Sequence, residues 1–127
     1  MPVTNANEVL ERMRDLPEFA ELDLNDVNLR GNFGNTPLHV AATWDDADAV
    51  EALVIAGANP NSSGEEGMTP LHRAAARGSR HAAVALLRLG ADFDARGADG
   101  LTPIELAKLL DRHEIVRLLE DWRARVQ

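Results

Sequence analysis

The chain has 127 residues, no cysteine, and 21 acidic against 13 basic side chains, for a net charge of -8. Disulfides and thiolate chemistry are excluded at once, and no run of about 18 apolar residues is present to span a bilayer. With no basic-then-apolar leader at the N-terminus, the expectation is one soluble, cytoplasmic domain large enough to bury a core. The acidic excess is confined to residues 1–62, while over residues 63–127 the two signs cancel. That balance speaks against nucleic acid and anionic membrane as partners and suits a basic protein.

In chain order, residues 1–28 read as a degenerate first unit. Asn5 followed by Glu8 has capping-box spacing, and Val9, Leu10 and Met13 mark one face of the helix that follows. Pro17 is placed to start a second short helix with Leu16, Phe19, Ala20 and Leu22 as its apolar side. Residues 29–63 form the first full unit. Thr36 is an N-cap and Pro37 a first helical residue, and Leu38, Ala41 and Ala42 give that helix an inner face of small groups. A partner helix buries Ala49, Val50, Leu53 and Val54, and Gly57 ends it.

Residues 64–96 repeat the plan with Leu71, Ala74 and Ala75, then Ala82, Ala83, Leu86 and Leu87. Gly78 stands at the turn between those helices, whereas the first unit has Asp45 there, a departure expected to strain or lengthen its turn. Residues 97–127 close the chain. Thr102-x-x-Glu105 is a capping box, and Ile115, Val116, Leu118 and Leu119 form the last apolar stripe before the sequence turns polar.

One tetrapeptide sets the register. Thr36-Pro37-Leu38-His39 returns as Thr69-Pro70-Leu71-His72 and again as Thr102-Pro103-Ile104-Glu105, a step of 33 residues each time. Gly34, Gly67 and Gly100 precede the three copies, and Gly57-Ala58-Asn59 and Gly90-Ala91-Asp92 follow two of them. In the first unit's slot stands Val3-Thr4-Asn5-Ala6 instead, while Asp26-Val27-Asn28 keeps the register of Asn59-Pro60-Asn61 and Asp92-Phe93-Asp94. This period and these words resemble the ankyrin repeat. The resemblance implies an all-α ankyrin-repeat solenoid over residues 1–127, built of stacked helix-turn-helix units with protruding loops or hairpins. Eight helices and almost no sheet are expected, with residues 1–28 and 97–127 as polar-faced caps.

The residues with chemical potential mostly read as structural. The resemblance implies that His39 and His72 bond to the Thr of their own motif and to the neighbouring loop backbone. His81 and His113 fall on solvent-facing helix positions. No His pair lies at i, i+4, so no zinc signature exists. Asp45, Asp46, Asp48 and Glu51 lack the spacing of a calcium loop and have no nucleophile nearby, and they read as a solvated helix end. No phosphate loop or nucleophile elbow is present. The chain is therefore expected to be no enzyme and to need no cofactor.

Solenoids bind partners along an extended concave surface. Carried over from the family position by position, that surface takes Arg30, Asn32, Phe33, Asn35, Thr43 and Trp44 from the first full unit. It takes Ser63, Glu65, Glu66, Met68, Ala76 and Arg77 from the second, and Arg96, Ala98, Asp99, Leu101, Leu109 and Leu110 from the third. Phe33 and Trp44 are expected beside one another as an apolar anchor, with acids around them. The expected function is a non-enzymatic interaction module, monomeric alone, such as an inhibitor or immunity-type protein for a basic partner. The alternative is an assembly subunit that self-associates, with Trp44 on the self-contact or packed against the cap helix.

Overall fold

Each copy of the motif starts a helix, because its Thr is extended and caps the helix from outside. Thr36, Thr69 and Thr102 all hold ψ near 165°, and the Pro that follows opens the helix with its fixed φ. In this computed structural model, which describes residues 4–126, seven α-helices result: α1 (Ala6–Met13), α2 (Pro37–Thr43), α3 (Ala47–Ile55), α4 (Pro70–Arg77), α5 (Arg80–Arg88), α6 (Pro103–Leu109) and α7 (His113–Val126). No strand occurs among the described residues, and the protruding segments are turns.

The helices form two rows. α2, α4 and α6 pack side by side as an inner row, and α1, α3, α5 and α7 as an outer row, with α2–α3, α4–α5 and α6–α7 as antiparallel pairs. Ala41, Ala42, Ala74, Ala75, Ala82 and Ala83 are wholly buried, so the helix axes approach closely. Leu38, Leu53, Leu71, Leu86, Ile115 and Leu119 fill the seams between units. Each such side chain contributes about 1.5–3 kcal/mol by leaving water, and only a neighbouring unit provides the cover.

The N-terminal segment departs from the expected pair of helices. Asn5 caps α1 through the Glu8 amide as its spacing predicts, but α1 packs chiefly on α3 and so joins the outer row. Val3, which begins the motif slot there, lies outside the described residues. The second helix expected from Pro17 is one 3₁₀ turn, Pro17–Phe19. Three residues are enough because Phe19 and Leu24 are already buried, and the turn's carbonyls are taken by the next loop. The Asn32 amide donates to Glu18 O at 2.6 Å, and its side-chain Nδ2 donates to Pro17 O and Ala20 O. Gly31 permits this contact, since a Cβ there would stand 2.4 Å from Glu18 O.

The repeat also appears in the hydrogen bonds. Asp26, Asn59 and Asp92 each accept from the amide two residues on, shaping the same turn three times. Asn28 then accepts from the Asn59 amide and donates to Gly57 O, and Asn61 does the same with Asp92 and Gly90. At the third position Asp94 has no side-chain amide, and its carboxylate pairs instead with Arg123 of α7.

Candidate partner-binding face

The inner helices and the turns before them form one continuous face, held in register by the motif histidines. His39 Nδ1 accepts from the Thr36 amide at 3.1 Å, so Nε2 carries the proton and donates to Met68 O at 2.8 Å. His72 repeats this with Thr69 and Leu101 O. Burial pushes the His39 pKa down to about 4, and burial lowers that of His72 too. Both rings are neutral ties between one unit's helix and the next unit's loop, as the resemblance implies. Glu105 stands where no further loop carbonyl asks for a donor. Its carboxylate accepts the Thr102 amide at 3.0 Å, and that bond holds its pKa below the usual range.

At the N-terminal end the face deepens into a groove of about 360 Å³. Leu16, Pro17 and Glu18 line one side, Val40 and Thr43 belong to α2, and Glu65 and Arg73 belong to the next unit. Phe33 also lines this groove and is 54% exposed. A ring that size is left in water only at a cost of hydrophobic free energy.

The candidate residues divide into two sets. Several are tied into the scaffold. Arg30 bonds Gly34 O and Ser63 O, and Arg96 bonds Gly100 O in the same way. Asn35 is buried and accepts from the Glu65 amide, Thr43 bonds back to His39 O, and Glu65 pairs with Arg73 at 3.0 Å. The Asp99 carboxylate caps its own turn through the Leu101 amide. Others stand open. Phe33, Glu66, Arg77 and Leu109 are exposed, Met68 and Leu101 are half-buried, and neither Glu66 nor Arg77 has an ion-pair partner among the described residues.

Phe33 and Trp44 do not lie beside one another. Phe33 precedes α2 and Trp44 is its C-cap, so a helix about 10 Å long separates them. Trp44 is 40% exposed, with the Arg12 guanidinium 5.6 Å from its ring centre. Arg12 is itself paired with Asp46 at 3.0 Å. Trp44 therefore covers α1 with part of its surface.

At Asp45 the turn is not lengthened, and the departure from Gly appears as backbone strain instead. Asp45 holds φ at 56°, as Gly78 holds 71° one unit on. The left-handed conformation is disfavoured for a residue with a Cβ, but the carboxylate has a compensating use. Ser79 makes no side-chain cap at the start of α5, and Asp45 Oδ1 accepts the Ala82 amide at 2.9 Å from the neighbouring unit. Nothing in the local sequence signals this, because the acid caps a helix 37 residues away. Asp46 caps its own α3. Half of the acidic cluster is thus capping chemistry, while Asp48 and Glu51 face solvent.

Among the described residues no helix is long and apolar enough to cross a membrane. A family model described as ankyrin repeats (3 copies) matches residues 42–127. That span takes in the second and third motif words and α3 to α7, while the first word lies just before it. No curated protein matches the chain. With two-thirds of the sequence matched and the same 33-residue geometry carried through α2 and α3, the chain belongs to the ankyrin-repeat family.

Proposed function

We propose that the chain is a non-enzymatic binding module that holds a protein partner along its concave face, with Phe33 as the apolar anchor. Ankyrin repeats are generally protein–protein interaction modules. The observation that carries the finer reading is the groove of about 360 Å³ lined by an exposed Phe33 and open to solvent among the described residues. Met68, Leu101 and Leu109 continue the apolar path across the later units, and Glu66 and Asp99 set acids along its rim. With the net charge of -8, that rim favours a basic partner, and an inhibitor or immunity-type protein fits the combination. Trp44 contributes its free edge rather than its whole ring, because Arg12 stacks on it.

A photo-crosslinking residue placed at Phe33 should capture a partner from lysate that the same residue at Ile55, on the outer row, does not. Capture should fall with salt and, with the crosslinking residue moved to the exposed Glu66, with Phe33→Ala. Equal capture from Ile55 would sink the concave reading. Leu109, at 69% exposed, and its neighbour Leu110 favour the second reading, self-association through the end of α6. Sedimentation equilibrium that is concentration-dependent in the wild type and monomeric in Leu109→Ser would select that reading instead.

A further inference from the structure

The outer row carries a groove of its own. It lies between α3 and α5, encloses about 460 Å³, and has Val84, Ala85 and Leu89 as its apolar floor. Arg80 and Arg88 flank the floor on the α5 side, and Glu51 stands on the α3 side. Arg80, Val84 and Arg88 are spaced i, i+4, i+8, so they lie along one line of α5 with the two arginines about 12 Å apart. Both guanidinium groups are exposed, and among the described residues neither has a hydrogen bond or an acidic partner. α5 itself contains no acid; Asp45, which reaches it, is committed to the Ala82 amide and His81, and Glu51 across the groove forms no ion pair with either arginine among the described residues.

Two uncompensated cations at the ends of an apolar floor are unusual on a chain with this acidic excess. Packing between units does not require them: Ala82, Ala83, Leu86 and Leu87 make the buried side of α5, and the arginines are on the other. We infer that the α3–α5 groove is a second docking surface, separate from the concave face, for an amphipathic acidic helix of a partner protein. Its occupant carries two carboxylates two turns apart with an apolar side chain between them. The carboxylates meet Arg80 and Arg88, and the apolar group sits on Val84 and Ala85. Glu51 fixes which way round it lies, since a carboxylate turned toward α3 would meet a like charge.

The probe is a labelled alanine-based helical peptide with two Glu two turns apart and Leu between them on one face. Fluorescence anisotropy should show saturable binding to the full chain, and amide shifts on addition should centre on α5. Arg80→Glu/Arg88→Glu should weaken binding at least about tenfold, and the milder Arg80→Gln/Arg88→Gln should weaken it in the same direction. Phe33→Ala should leave it unchanged, so failure here and failure of the concave reading are distinguishable. Because both arginines are exposed and unpaired, circular dichroism of the variants should match the wild type. The inference is overturned if the peptide does not bind, if its Glu→Lys counterpart binds as well, or if charge reversal leaves affinity intact. Preferential binding of a single-stranded oligonucleotide over the peptide would overturn it in favour of a nucleic-acid surface.

Discussion

Acidifying the protein from pH 7.5 to pH 5 should destabilise it through His39, by an amount the structure allows to be worked out. In the fold, His39 Nε2–H donates to Met68 O and Nδ1 accepts from the Thr36 amide. Burial disfavours the charged ring, and the nearby Arg73 and Arg30 charges add to this, so the pKa falls from 6.5 to about 4 despite the bond to Met68 O. Above about pH 6.5 both folded and unfolded chains hold the ring neutral, and His39 contributes no pH dependence. Between about 6.5 and about 4 the unfolded chain binds a proton that the folded one refuses, so stability falls as pH falls.

Across the full window the loss is about 3 kcal/mol, and about 2 kcal/mol of it is reached by pH 5. Against a typical domain stability of about 5–15 kcal/mol this is a large share. His72, lowered by the same cause, acts in the same direction. Glu105 acts in the same direction but at lower pH: its depressed pKa contributes stability above the unfolded carboxylate range that is lost only as pH falls further, so it leaves the window from pH 7.5 to 5 to the histidines. Urea unfolding of the wild type and of His39→Gln at both pH values is the assay. The acidic net charge relaxes on protonation in both proteins alike, so the difference between their slopes isolates the ring. His39→Gln should lose about 2 kcal/mol less than the wild type over this range. Parallel losses would refute the neutral-ring tie.

Other substitutions test the remaining joints. Asp45→Ala should cost about 1–2 kcal/mol in urea unfolding, because it keeps the left-handed backbone and removes the cap on Ala82. Asp45→Gly should fall within about 1 kcal/mol of the wild type, as relief of that backbone offsets the lost cap. Gly64→Ala should cost about 1–3 kcal/mol, since a Cβ there would stand 2.3 Å from Asn35 Oδ1 and 2.7 Å from His39 Nε2. A melting temperature unchanged from the wild type would contradict that contact. Asn61→Asp keeps the acceptor for the Asp92 amide and loses the donor to Gly90 O, so hydrogen exchange should quicken in the Gly90–Ala91 turn while the inner helices stay protected.

The period made most of the fold legible because it is written by residues whose duty is the same in every unit. Thr36, Thr69 and Thr102 must be extended, Pro must follow, and Gly34, Gly67 and Gly100 all hold positive φ. The buried faces of α2 to α7 came from the same repetition. Outside the period the reading weakened. A second short helix was expected from Pro17, but tertiary cover of Phe19 and Leu24 and the side chain of Asn32 left one turn of it. The candidate face was legible as positions but not as availability. Arg30, Asn35 and Arg96 occupy surface slots, yet each spends its polar atoms on a carbonyl or amide of a turn: both arginines close their own turns, and only the stack brings Ser63 O to Arg30 and the Glu65 amide to Asn35.

The same distinction explains why function resists the sequence here. A residue fixed by the 33-residue step is needed by every unit and therefore says nothing about one partner. The informative residues are those that break the step: Phe33 where the later units have Glu66 and Asp99, Trp44 where they have Arg77 and Leu110, and Arg88 where its neighbours have Ile55 and Asp121. Each break leaves a side chain on the surface that no neighbouring unit uses, or uses only in part. They fall on two opposite faces, the first two on the inner row and the third on the outer. A single concave site accounts for the first pair only. That is why the α3–α5 groove is tested on its own, with the concave anchor removed.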